Sequence, residues 1–127
     1  MKVIDASALY DLLLRNDRGR VVATLIDDDL FAPDLAVTEV LQALRRDLHR
    51  KALSARPANQ LVDDLRDADI ELLPAWPYTD RIWALRGAVS AFDAAYVATA
   101  EDLGCALLTV DHRLAGARGI RCPVVTV

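Results

Sequence analysis

Asp5, Glu39, Asp93 and Asp111 are far apart in sequence, yet they share one kind of position. Asp5 and Asp111 each end a short apolar strand pattern. Glu39 and Asp93 each fall in the first turn of a helix pattern that follows a strand or loop. In a parallel sheet, strand ends and the starts of the succeeding helices lie along the same edge. Carboxylates gathered there would repel one another and resist ionisation. A hard divalent cation reverses that cost, and an all-oxygen donor set suits Mg²⁺ or Mn²⁺. Such a site activates water and neutralises a phosphodiester during in-line attack. The chemistry that follows is metal-assisted hydrolysis of nucleic acid.

Each acid also has a structural explanation. Ser90-Ala-Phe-Asp93 fits a capping box, in which Asp93 serves its own helix. Glu39 can complement a helix dipole, and Asp111 can cap the turn after it. Asp5 resists this reading best. Ser7 already offers a cap to the first helix, and an acid at a buried strand end needs a reason.

The elements that must position these acids follow from hydrophobic periodicity. Lys2–Ile4 reads as the first strand, and Leu9, Leu12 and Leu13 mark a helix that Asp17-Arg18-Gly19 breaks. A second helix carries Val22, Leu25 and Ile26 as far as Asp27-Asp28-Asp29, and Leu30–Ala32 is a strand closed by Pro33. Val37, Val40, Leu41, Leu44 and Leu48 form the apolar face of a helix over Ala36–Ala52, opposite a basic face of Arg45, Arg46, Arg50 and Lys51. Ser54 can cap the next helix, which buries Leu61, Val62 and Leu65. A third strand, Ile70–Leu73, and a short helix to Gly87 lead into Ser90–Arg113, a helix, glycine stop and strand. Pro123–Val127 is the last strand. Apolar strands alternating with helical patterns indicate a parallel α/β sheet. The doubly wound habit places strand 1 in the middle, with Asp5 and Asp111 side by side at the rim.

The 127 residues are read as a single domain spanning 1–127. A hydrophobic content of 54% with 27% charged residues marks a soluble globular chain rather than a disordered one. The longest uncharged runs, Leu72–Thr79 and Leu103–Val110, fall far short of the roughly 20 residues that cross a membrane. Asp5 sits where a secretory signal would be apolar. The expected compartment is the cytoplasm, with no membrane partner, and Cys105 and Cys122 are expected as reduced thiols. A formal charge of −4 excludes whole-surface attraction to nucleic acid, so local basic groups or bound cations must supply it.

VIDASAL (Val3–Leu9), VTEVLQAL (Val37–Leu44), FDAAYVATAEDLG (Phe92–Gly104) and LLTVDHRL (Leu107–Leu114) resemble the signature blocks of PIN-domain ribonucleases. The likeness is greatest to the toxins of VapBC toxin–antitoxin systems, and it runs in order along the whole chain. It implies a three-layer α/β/α PIN-like domain with a five-stranded parallel sheet. It also implies Mg²⁺- or Mn²⁺-dependent endoribonuclease activity as the toxin of a type II system, an RNA substrate, a homodimer, and inhibition by a cognate antitoxin protein. By position, Asp5, Glu39, Asp93 and Asp111 match the family's catalytic acids, with Asp5, Asp93 and Asp111 on the metal. Ser7 and Thr109 match its supporting hydroxyls. Beyond Asp111 some relatives carry a further acid, whereas this chain has His112 and Arg113. The alternative is a catalytically inactive PIN-like module that binds RNA or protein.

Other residues have competing uses. Arg113, beside Asp111, is a candidate substrate contact. The cluster Arg45, Arg46, His49, Arg50 and Lys51 is either a solvated helix face or a phosphate-binding surface. Trp76 and Trp83 either pack in a core or dimer interface or stack bases. His49 and His112 would be needed for metal-free acid–base cleavage. Neither G-x-x-x-x-G-K-[ST] nor G-x-G-x-x-G occurs, which excludes those phosphate cradles. A phosphoacceptor receiver domain pairs its aspartates with a lysine near the last strand, and the only lysines are Lys2 and Lys51.

Overall fold

A computed structural model describes every residue from Met1 to Val127. Its elements are β1 (Lys2–Ile4), α1 (Ala6–Leu14), α2 (Asp17–Thr24), β2 (Leu30–Pro33), α3 (Leu35–His49), α4 (Ala55–Arg66), β3 (Glu71–Leu73), a 3₁₀ turn (Trp76–Tyr78), α5 (Thr79–Ala84), α6 (Ala91–Leu103), β4 (Ala106–Thr109), α7 (His112–Ala115) and β5 (Val124–Thr126). The strands form one five-stranded sheet in the order β3-β2-β1-β4-β5. Every pairing is parallel. β1 is central and β4 adjoins it, as the sequence led us to expect.

Consecutive strand residues point to opposite faces of a sheet. Val3 and Ile4, and likewise Leu107 and Leu108, are fully buried, so both faces are covered. Right-handed crossovers account for how. The chain steps from β1 to β2 to β3 in one direction, with α1 to α4 between, and back through α5 and α6 to β4. α6 packs against β1, β2 and β4, while α1 packs against α2, α3 and α4. Residues Ala94–Ala100 of α6 are all buried. Its run of alanines fits that crowded place, because small side chains let a helix lie close to the sheet. Gly104 closes α6 in the left-handed conformation at φ 64°, where its N–H donates to the Ala100 and Glu101 carbonyls.

Several expectations are corrected. Ser7 does not cap α1; Asp5 does, accepting from the Ala8 N–H. The strand runs directly into the helix, so the residue at the junction is the one whose side chain reaches the free amides. α1 ends one turn earlier than the Asp17–Gly19 break, at Arg15, which is left-handed at φ 58°. Asn16 then caps α2 through the Gly19 N–H, and α2 stops at Thr24, before Leu25 and Ile26. Ser54 occupies the cap position of α4 without a side-chain bond there. Leu41 and Leu48 flank the apolar stripe of α3 rather than lying within it, and each remains 38% exposed. Trp76 and Trp83 are not in the core: they are 78% and 67% exposed, and the Arg86 guanidinium lies 4.7 Å from the centroid of the Trp83 ring. Both cysteines are free thiols. No helix is long and apolar enough to cross a membrane.

Candidate active site

Asp5 follows β1, and its N–H extends the pairing with β4 by donating to the Leu108 carbonyl at 3.0 Å. Its side chain is 4% exposed, and both oxygens are occupied by donors. Oδ1 accepts from the Ser7 hydroxyl at 2.6 Å and the Ala8 N–H at 2.9 Å; Oδ2 accepts from the Thr109 hydroxyl. Burial raises the Asp5 pKa, these donors oppose the rise, and the charge of Asp93 adds to it.

Thr109, the last residue of β4, is itself fully buried. While donating to Asp5, its Oγ1 accepts from the Asp111 N–H at 2.9 Å. One hydroxyl therefore ties the ends of the two central strands together. The Ser7 hydroxyl sits 3.4 Å from Thr109 Oγ1 and accepts from the Val110 N–H at 3.4 Å. Ser7 and Thr109 thus stand between the first and last acids.

Glu39 is not in the first turn of its helix. α3 begins at Leu35, which puts Glu39 in the second turn, beyond the free amides that a dipole partner would meet. It is half-buried, and its Oε1 accepts from the Tyr96 hydroxyl at 2.8 Å. Burial raises the Glu39 pKa, Tyr96 lowers it, and the charges of Asp93 and Asp5 raise it further. Tyr96 is 1% exposed, and burial together with Glu39 pushes its phenol pKa far up, leaving a fixed donor. The sequence reading missed Tyr96. Its signal was its place on α6 one turn after Asp93, since a buried tyrosine hydroxyl needs a partner.

Asp93 lies in the first turn of α6, and its N–H donates to the Ser90 hydroxyl at 3.1 Å, half of the expected capping box. Burial raises its pKa; the Ser90 side chain lowers it, Asp111 raises it and Arg113 lowers it. Asp111 caps α7 by accepting from the Arg113 N–H at 3.0 Å. The Arg113 guanidinium forks onto both carboxylate oxygens, with Nη2 donating to Oδ2 at 2.7 Å and Nε to Oδ1 at 3.0 Å. Arg113 holds Asp111 below the ordinary aspartate range.

The acids therefore gather as neighbours that feel one another's charge. Asp5 feels Asp93, Glu39 feels both, and Asp93 feels Asp111. Glu39, Asp93 and Asp111 open into two hollows, while Asp5 lies buried and lines neither. One, of about 340 Å³, is lined by Ser90, Asp93, Asp111 and Arg113. The other, of about 880 Å³, is lined by Ser7, Glu39, Phe92 and Val110 among others. No three His, Cys, Asp or Glu side chains close round a point that could hold a metal ion directly. The donor set is nonetheless all oxygen, with neither thiol nor imidazole among the four acids and their hydroxyls. Mg²⁺ fits such a set, because it takes one or two carboxylates and keeps several waters. His112 is turned elsewhere, with Nε2 2.9 Å from the Val127 carbonyl oxygen.

Comparison with known proteins agrees with this fold. The PIN domain family model matches residues 2–120. The chain is 35% identical over 127 residues to VapC ribonuclease Mb0985 of Mycobacterium bovis, covering 100% of this chain and 98% of that protein. It is 36% identical over 120 residues to ribonuclease VapC12 of Mycobacterium tuberculosis, covering 94% and 93%. The crystal structure of PAE2754 from Pyrobaculum aerophilum superposes with a TM-score of 0.63 at 25% identity, over 95% of this chain and 87% of that one. By its sequence from end to end, the chain belongs to the PIN-domain family and is a relative of the VapC ribonucleases.

Proposed function

We propose that the chain is a metal-dependent endoribonuclease and the toxin of a type II toxin–antitoxin pair. One observation carries the reading. Asp5, buried, and Glu39 and Asp93, half-buried, are brought together from three elements; burial raises all three pKa values and a neighbouring acid adds to each rise, a cost that a divalent cation would relieve. In this reading Asp5, Asp93 and Asp111 hold Mg²⁺ or Mn²⁺. When bound, the cation lowers the pKa of its water and offsets charge on the phosphodiester.

The chain's own groups do the rest. Ser7 and Thr109 fix the Asp5 carboxylate. Tyr96 occupies Glu39 Oε1, which leaves Oε2 to orient the attacking water or take its proton, and a raised carboxyl pKa suits that task. Arg113 exchanges Asp111 for a substrate phosphate. The relatives named ribonucleases support RNA as the substrate, and the VapC name supports a cognate antitoxin partner. Exposed Trp76 and Trp83, which share an apolar hollow with Ile82, support a homodimer.

The test is cleavage of structured RNA by the purified protein with Mg²⁺, Mn²⁺ or EDTA, beside Asp5→Asn. Asparagine retains the cap on α1 and loses the charge. Cleavage that needs the metal and is lost in the variant is expected. Cleavage that persists in EDTA or in the variant overturns the mechanism. The second reading, an inactive module that binds RNA or protein, is favoured by the fork from Arg113, which already neutralises Asp111 without a metal. RNA bound but never cut would decide for it.

A further inference from the structure

The larger hollow beside the acids continues well past them. From Ser7 and Glu39 it runs as a groove between α1 and α3, with Phe92 in its wall at the catalytic end and Arg46 and Arg50 at the other. Glu39, Arg46 and Arg50 follow one another down a single side of α3. At 1.5 Å per residue the arginines stand about 10 and 16 Å beyond the acid.

Phe92 precedes Asp93 and is 62% exposed, an aromatic face beside the reacting centre with nothing packed over most of it. The acids within the groove already have partners. Asp11 is held by Arg18 at 2.9 Å and Asn16 at 2.7 Å, and Asp47 accepts from the Tyr10 hydroxyl at 2.7 Å. Arg46 and Arg50 are exposed and take part in none of the ion pairs. A helix dipole accounts for basic residues near the end of α3. It does not account for these two facing the groove.

We propose that this groove is the path of a single RNA strand leaving the cleavage site. Phe92 stacks the base next to the reacting phosphate, and Arg46 and Arg50 bind phosphates further along. The inference rests on the ribonuclease reading and adds to it the residues that hold the substrate beyond the reacting phosphate. A duplex keeps its bases stacked inward, whereas an unpaired strand can lay one on an aromatic side chain.

The test has two arms. One measures cleavage of a structured RNA in Mg²⁺. The other measures binding of a short, unstructured, fluorescein-labelled RNA in Ca²⁺ by anisotropy. Phe92→Ala is expected to weaken binding about tenfold and to raise KM more than it lowers kcat, with Phe92→Tyr restoring both. Arg46→Gln with Arg50→Gln is expected to reduce the slope of log affinity against log salt by about 0.7 per arginine. Arg118→Gln with Arg121→Gln removes the same charge from another face and is expected to leave the slope unchanged. Binding that depends on Phe92, Arg46 and Arg50 in a protein that cuts no RNA would support the groove while rejecting the nuclease. Variants that bind RNA like the parent would overturn the groove whether or not cleavage occurs. So would unchanged RNA binding with lost antitoxin inhibition, which would assign the groove to the protein partner.

Discussion

At the scale of single residues, the site depends on hydroxyls as much as on carboxylates. Thr109 donates to Asp5 and accepts from the Asp111 amide, so one buried oxygen sets the spacing of two acids. Thr109→Val keeps the shape but strands a carboxylate oxygen and an amide. We expect a loss of about 1–3 kcal/mol in urea melts together with lost cleavage, and recovery of both in Thr109→Ser. Glu39→Gln keeps the bond from Tyr96 and removes the base. A fall in kcat of about 10²–10⁴, with the melting temperature maintained or raised, is the expected outcome. The pKa shifts set the sign of a pH effect. Asp5, Glu39 and Asp93 bind protons more tightly folded than unfolded, so the stability they contribute is full below their unfolded values near 3.8 and 4.5. It is lost as pH rises through their raised folded values. Metal-free protein should therefore lose stability from these groups as pH rises out of the acid range, and added Mg²⁺ should restore it near neutrality. Asp93→Asn should flatten that slope in denaturant titrations across pH.

At the scale of elements, the site needs β1 and β4 adjacent, and α3 and α6 set at their carboxyl ends. α1 and α2 support this frame through an unusually close approach. A Cβ at Gly19 would lie 1.9 Å from the Asp11 carbonyl oxygen, which is backbone and cannot swing aside. Gly19→Ala should cost about 1–3 kcal/mol by chemical denaturation. On the other side, Arg81 forks onto Glu101 at 2.7 and 3.0 Å and also donates to the Gly119 carbonyl, joining α5, α6 and the approach to β5. Burial raises the Glu101 pKa, but Arg81 and the Arg121 amide outweigh it and hold it low. Its stabilising contribution is thus present above the unfolded value and is lost as pH falls through the folded one.

At the scale of the whole molecule, charge is sorted by location. A hollow of about 680 Å³ away from the four acids is lined by Asp28, Asp29, Asp64, Asp67, Asp69 and Glu71, which would repel a polyanion. Arg46, Arg50 and Arg113 line the two hollows beside the candidate acids. A net charge of −4 is therefore compatible with an RNA substrate, because part of the acidic excess lies in that separate hollow and the acids beside the site are interspersed with arginines. The exposed tryptophans belong to this scale too. If they form the homodimer contact, Trp76→Ala with Trp83→Ala should shift sedimentation from dimer to monomer without loss of helical circular dichroism.

Periodicity and short motifs determined much of this protein. The apolar runs around Val3, Leu107 and Val124 and the helical repeat of α3 determined a parallel α/β chain, since each depends on nearest neighbours alone. The acids stood out because charge at the end of a buried strand is costly wherever that strand lies. The ends of elements were less legible. Asp5 rather than Ser7 caps α1 because a cap is decided by which side chain reaches a free amide. Only the tertiary structure could bring Tyr96 to Glu39, Thr109 between Asp5 and Asp111, and Phe92 into line with Arg46 and Arg50. Those contacts join residues on different elements, and a one-dimensional pattern carries no distance between them.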